Sequence, residues 1–179
     1  IVTITMDMQG RSANVINEEF GKLWLETMDR LSAEKADIAG VVLTSAKSTF
    51  FAGADIDNLF KQTDVKLIFE MCEGLKAQLR RLETLGKPVV AALNGAALGG
   101  GLEIALACHY RVALNNPKAQ FGLPEVGLGL LPGGGGIVRL TRMIGLQPAL
   151  PLLTEGKRLK VKEALSNGLI NAIAETPED

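Results

Sequence analysis

The chain has 179 residues, with 19 basic against 20 acidic side chains, one histidine and two cysteines. That length suits one domain with a sizeable core, and the near-neutral balance argues against nucleic acid or acidic lipid as the main partner. A single histidine excludes multi-histidine zinc sites and most histidine-dependent nucleophiles, so any catalysis falls to carboxylates and backbone donors.

Residues 1–6 alternate β-branched side chains and read as a strand. Asn17-Glu18-Glu19 supplies an N-cap and first-turn acids for an amphipathic helix with Phe20, Leu23, Trp24, Met28 and Leu31 on one face. Residues 40–44 form a short buried-type strand, and 50–55 a loop. A long helix starts at Asp64 and runs to about Leu85, with Lys76, Arg80 and Arg81 on its polar side. Lys87-Pro88 ends it and leads into a third strand, Val89-Val90-Ala91-Ala92-Leu93. A helix follows near 104–107, and His109 just after it reads as a helix cap or a satisfied surface residue. Residues 110–114 return as a strand. A loop with Pro117, Pro124 and Pro132 comes next, then a helix over about 134–144 and shorter helices near 148–154 and 161–168.

Strands alternating with helices predict parallel β-α units in an α/β layer fold. The apolar stretch from Pro88 to Cys108 is not a membrane span. Its glycines break any single helix, and a carboxylate such as Glu103 costs roughly 2.5–3.5 kcal/mol on insertion scales. It reads as a buried strand plus a buried helix. Cys72 and Cys108 have no ligand-like spacing, which fits a reducing compartment. Nothing at the start reads as a signal peptide.

Eleven of the 20 glycines lie between Gly95 and Gly136, so unusual backbone geometry is concentrated in one quarter of the chain. Three segments there and nearby are candidates for one pocket. Gly99-Gly100-Gly101-Leu102-Glu103 sits at a strand-to-helix junction, where unpaired N–H groups suit a negative oxygen beside a carboxylate. Tight helix–strand packing would also explain the glycines, but not an acid on an apolar helix. Phe50-Phe51-Ala52-Gly53-Ala54-Asp55-Ile56 follows a buried strand. It is either an ordinary turn or a place for close ligand approach, with Ala52 presenting its N–H. Glu125 is the lone charge between Lys118 and Arg139, so it is either a cap or an acid buried for function. Burial would raise its pKa, whereas Glu103 near a helix start should ionise more easily, and such a pair suits acid–base work. Neither a GxGxxG nor a Gly-Lys-Ser/Thr loop is present.

These strings together closely resemble the enoyl-CoA hydratase/isomerase (crotonase) family. The matching text is FFAGADI, NGAALGGGLEIALACHYRVA, AQFGLPEVGLGLLPGGGGIVRLTRMIG and GKRLKVKEALSNGLINAI, covering the chain from residue 1 almost to its end. The wording looks most like the hydratase portion of multifunctional fatty-acid oxidation proteins. The resemblance implies a spiral of β-β-α units, apparently lacking the family's C-terminal helices, with residues 1–179 a hydratase/isomerase domain excised from a longer chain. It implies hydration of trans-2-enoyl-CoA, with Δ3-Δ2 isomerisation or a catalytically weak coenzyme A-binding module as alternatives. Carried over by position, the catalytic acids are Glu103 and Glu125, and the oxyanion-hole donors are the N–H groups of Ala52 and Gly100. Ala52, Gly53, Ala54, Asp55, Ile56, Gly100, Pro124 and Gly133 line the substrate, with Gly133 beside the catalytic water. No cofactor is implied beyond coenzyme A as part of the acyl-CoA substrate, and no metal. The expected partners are further copies of the chain and, for a multifunctional parent, a thiolase. The expected location is bacterial cytoplasm, or an organelle matrix in a eukaryote. A peptidase on the related Clp-like spiral is disfavoured, because no serine follows the glycine triplet.

Overall fold

The computed structural model describes residues 1–177. Strands β1 (Val2–Met6), β2 (Val41–Ser45), β3 (Val89–Leu93), β5 (Tyr110–Leu114) and β7 (Ala172–Ala174) form one sheet in that order, every neighbouring pair parallel. Two further strands, β4 (Ala97–Leu98) and β6 (Phe121–Gly122), pair in a small second sheet. Phe51 extends it through an isolated bridge to Ala97.

The helices follow their sequence signals. In α1 (Glu18–Ala33) the Asn17 side chain accepts from the Phe20 N–H at 2.8 Å, and Trp24, Met28 and Leu31 are buried. In α3 (Val65–Glu83) Asp64 caps the Lys66 and Leu67 N–H groups. A short helix, α2 (Ile56–Lys61), stands where only the loop into Ile56 was expected. The helix after the triplet, α4 (Gly100–Leu106), starts three or four residues earlier than its apolar run suggests and is buried along its whole length. Helices α5 (Gly136–Ile144), α6 (Leu146–Thr154) and α7 (Val161–Ser166) complete the chain.

The spiral expected from the resemblance is visible in the connections. A strand of the large sheet, a short strand of the small sheet, then a helix recurs as β3–β4–α4 and as β5–β6–α5, and β2, Phe51 and α2–α3 repeat it more loosely. Two-residue strands such as β4 and β6 are too short to show a period-2 pattern in the sequence. The Pro88–Cys108 stretch is a buried strand and a buried helix, as expected. Among the described residues no helix is long and apolar enough to cross a membrane.

One core joins the layers. Phe50, Phe51, Leu79, Leu82, Leu93, Leu102, Ile104, Phe121, Leu123 and Leu140 are essentially inaccessible, and they link both sheets to α3, α4 and α5. Arg111 is buried among them at 3% exposure. Its guanidinium donates to the carbonyls of Leu169, Cys108 and Ala105 and to Asn171 Oδ1, tying β5 to the end of α4 and to the approach to β7. His109 is exposed and satisfied: Nδ1 accepts from the Val89 N–H at 3.1 Å, and Nε2 lies 3.1 Å from the Glu83 carbonyl.

Candidate active site

The glycine triplet sits where β4 of the small sheet turns into α4. Gly99 has φ +55°, a conformation that disfavours a side chain, and its N–H donates to the Gly122 carbonyl at 2.9 Å. That bond leaves Gly100 as the first helical residue, without an intrahelical acceptor for its N–H. Gly101 is a packing glycine, since a Cβ there would stand 2.5 Å from the Phe51 carbonyl oxygen. The three glycines therefore do three different jobs.

Glu103, one turn into α4, is 2% exposed. Its Oε1 accepts from the Gly136 N–H at 2.7 Å. A Cβ on Gly134 would fall 2.8 Å from Glu103 Oε2, and one on Gly136 would fall 2.9 Å from Oε1. The Gly133–Gly136 run is thus shaped around this carboxylate. Its place at a helix start does not leave Glu103 an ordinary carboxylate. Burial raises its pKa, and the Gly136 and Gly134 N–H groups, Arg139 and Lys76 only offset part of that effect.

Glu125 enters from a 3-10 turn, Pro124–Leu128, inside the proline-bearing loop the sequence predicts. Its Oε1 lies 2.9 Å from where a Cβ on Gly99 would be, so it faces the triplet. Its Oε2 is buried without a hydrogen-bond partner. Burial, assisted by the charge of Glu103, pushes its pKa up to about 7. This is the acid expected from its isolation in the sequence.

The 50–56 segment reaches the same place. A Cβ on Gly53, which has φ +103°, would stand 3.1 Å from the Leu98 carbonyl and 3.7 Å from the Gly100 nitrogen. Here the structure departs from the expected donor. The Ala52 N–H donates to the Asn14 carbonyl at 2.9 Å, so it is not a free donor. The Ala54 N–H meets no acceptor among the described residues, while its neighbours Gly53 and Asp55 bond to Ile16 in an isolated parallel bridge. Strand-like pairing alternates donors inward and outward, so a segment 38 residues away decides which alanine faces the pocket. Asp55 is a structural anchor: buried, it binds Arg11 at 2.9 Å and Asn58 at 3.1 Å. Ala52, Ala54 and Ile56 are exposed beside it. Pro124 opens the turn that carries Glu125. Gly133 packs against Cys72, whose Sγ would be 3.0 Å from a Cβ there.

A buried carboxylate and a half-buried one from different elements, with unbonded backbone donors and glycine walls, make an arrangement able to do acid–base work beside an oxygen that gains negative charge. A family model described as enoyl-CoA hydratase/isomerase matches residues 1–179. The chain belongs to the enoyl-CoA hydratase/isomerase family. It is 48% identical over 177 residues to the fatty acid oxidation complex subunit alpha of Shewanella halifaxensis, covering 96% of this chain and 24% of that protein. The corresponding subunit of Idiomarina loihiensis is 42% identical over 174 residues, with 97% and 24% covered. Among solved structures, the enoyl-CoA hydratase of Geobacillus kaustophilus HTA426 superposes with a TM-score of 0.92 at 33% identity, covering 99% of this chain and 66% of that one. The crotonase fold is therefore shared. The chain spans about a quarter of the curated relatives it matches.

Sequence reading missed Asn14, Gly134, Gly136 and Arg139, and it placed Ala54 along the substrate without its free N–H. Only the four-glycine run carried a local signal, and its meaning depended on knowing what lies opposite it.

Proposed function

We propose that the chain hydrates trans-2-enoyl-CoA thioesters to 3-hydroxyacyl-CoA, as a step of fatty-acid β-oxidation. The observation that carries this reading is the pair Glu103 and Glu125. Both border the glycine triplet, a Cβ on Gly99 falling 2.9 Å from Glu125 Oε1 and one on Gly100 3.9 Å from Glu103 Oε2, and Glu125 has a buried, unpartnered oxygen. Water attacks C3 while Glu103 takes its proton. The C2=C3 electron pair moves toward the thioester carbonyl, leaving an enolate oxygen. The N–H groups of Gly100 and Ala54 hold that oxygen; losing one such donor typically costs ~2.7–4 kcal/mol of barrier. Glu125, protonated up to about pH 7, then gives its proton to C2. Water in and a C–O and a C–H bond formed balance the step, and proton exchange between the two acids resets the site.

Ala52, Gly53, Ala54 and Ile56 form the wall along which the coenzyme A portion lies, with Pro124 and Gly133 on the acyl side. This chemistry draws on no metal or redox cofactor, and coenzyme A arrives with the substrate. Like its relatives named as complex subunits, the protein is proposed to act in a larger assembly, with further copies of itself and a thiolase, in the bacterial cytoplasm.

A second reading is Δ3-Δ2 isomerisation. The pKa of Glu125 near neutrality favours it, since one carboxyl able to take and return a proton at pH 7 can shuttle it between C2 and C4. Crotonyl-CoA and a cis-3-enoyl-CoA separate the readings: hydration removes conjugated thioester absorbance, whereas isomerisation creates it. Parent-like hydration by Glu103→Gln and Glu125→Gln proteins would refute the catalytic assignment. Coenzyme A binding without turnover by the parent would favour the binding module.

A further inference from the structure

The glycine turn that holds Glu103 is itself held. Arg139, on the first turn of α5, reaches back over it: Nη1 donates to the Gly134 carbonyl at 2.7 Å, and Nε donates to Glu83 Oε1 at 2.5 Å. Glu83 is in the last turn of α3 and also takes a longer contact from Arg80 at 3.2 Å. The side chains of Arg139 and Glu83 are only 13% and 22% exposed. Gly135, at φ +94°, lies directly beneath the guanidinium, since a Cβ there would stand 2.5 Å from Nη1. One face of the turn is therefore bonded to Arg139 through the Gly134 carbonyl. The other is bonded to Glu103 through the Gly136 N–H.

We propose that Arg139 is a positioning residue for the acid–base chemistry: it clamps the Gly134 carbonyl to Glu83 and so fixes the turn whose N–H groups hold Glu103. An arginine suits this role because its planar fork serves two acceptors at fixed angles, which a lysine ammonium does not reproduce. The guanidinium also acts on Glu103 through space. The charged and titratable groups facing that carboxyl are Arg139 from α5, Lys76 and Cys72 from α3, and Glu125 from the 3-10 turn. Lys76 is engaged in an ion pair with Glu73, and the Cys72 thiol is pushed toward its neutral form by burial. Arg139 is thus the cation built into the wall of the turn.

A purely structural Arg139–Glu83 tie between α3 and α5 would lower the melting temperature of variants without changing how Glu103 titrates. The clamp changes both. The test uses the full chain with Arg139→Gln, Arg139→Lys and Glu83→Gln. The Glu103 carboxyl titration is followed by NMR with 13C-labelled glutamate and assigned by comparison with Glu103→Gln. The pH dependence of kcat/KM for crotonyl-CoA hydration is measured alongside. In Arg139→Gln the Glu103 midpoint and the acid limb of kcat/KM move up by about one pH unit, an approximately tenfold loss on that limb. Arg139→Lys recovers part of the shift, and Glu83→Gln gives a smaller shift in the same direction. A parent-like Glu103 midpoint in folded Arg139→Gln overturns the proposal. If that variant does not fold, parent-like midpoints in both other variants overturn it. The inference rests on Glu103 being the base. Parent-like hydration by Glu103→Gln would defeat that reading, whereas the NMR titration judges the clamp independently.

Discussion

The Gly136 N–H donates to Glu103 Oε1 at 2.7 Å, joining two residues 33 positions apart in the chain. A Cβ on Gly136 would lie 2.9 Å from both Cγ and Oε1 of Glu103 and 3.1 Å from Leu123 Cδ1. The glycine is there to let the carboxylate in.

Gly136→Ala displaces Glu103 and overpacks the core, at a cost of roughly 1–3 kcal/mol in folding stability. Crotonyl-CoA turnover falls at least about tenfold, in line with losing positioned acid–base help. Gly127→Ala is the control, because a Cβ there meets nothing within 4 Å, and surface changes of this kind typically stay within about 0.5 kcal/mol. Urea denaturation together with initial rates checks both variants.

The triplet divides in the same way. In Gly101→Ala the new methyl meets the Phe51 backbone, 2.5 Å from its carbonyl oxygen and 2.9 Å from its carbonyl carbon, and neither can move away cheaply. In Gly100→Ala the one close contact is Ile16 Cδ1, the end of a flexible side chain, with Ile16 Cγ1 and Glu103 Oε2 at ordinary distances of 3.6 and 3.9 Å. Thermal unfolding should show a clear fall in melting temperature for the first variant and a much smaller one for the second. Equal losses would contradict this assignment of roles.

Glu125 makes stability and activity depend on pH with a definite sign. Its pKa is about 7 in the folded protein against a reference value of 4.5, so between those values the folded state binds more protons than the unfolded one. The stabilisation is full below about pH 4.5 and is lost as pH rises through about 7. Glu125→Gln removes this dependence, so its stability relative to the parent improves from pH 5 to pH 8 in urea titrations. Hydration by the parent falls above about pH 7, where the proton donor is lost.

The Arg111 guanidinium donates to three carbonyls and the Asn171 side chain at 3% exposure. Arg111→Met leaves the Leu169 and Cys108 carbonyls without their donor, while the Ala105 carbonyl keeps the Cys108 N–H and Asn171 Oδ1 keeps the Arg111 N–H. The expected loss is about 3 kcal/mol or more of unfolding free energy by chemical denaturation, since each orphaned buried group costs roughly 1–3 kcal/mol.

Much of the site was legible because its constraints are local. A glycine triplet followed by an acid, a lone glutamate in an apolar stretch, and small residues after a buried strand each carry a steric or electrostatic demand within a few contiguous positions. The caps of α1 and α3 were readable for the same reason. The short strands β4 and β6 were not, because two residues hold no period.

The sequence by itself determined the alternating strands and helices, the two isolated acids and the triplet, since these follow from patterning and side-chain chemistry, and the crotonase layout came through its resemblance to a family. Tertiary structure decided which donors are free and which charges persist. Asn14 takes the Ala52 N–H and leaves that of Ala54 open. Burial raises the pKa of Glu103 despite its place near a helix start. Arg139 ties a glycine turn to α3 through Glu83. The physical reason is common to all three. A donor's availability and an acid's charge are set by what lies opposite it, and here that partner comes from a segment 33 to 56 residues away.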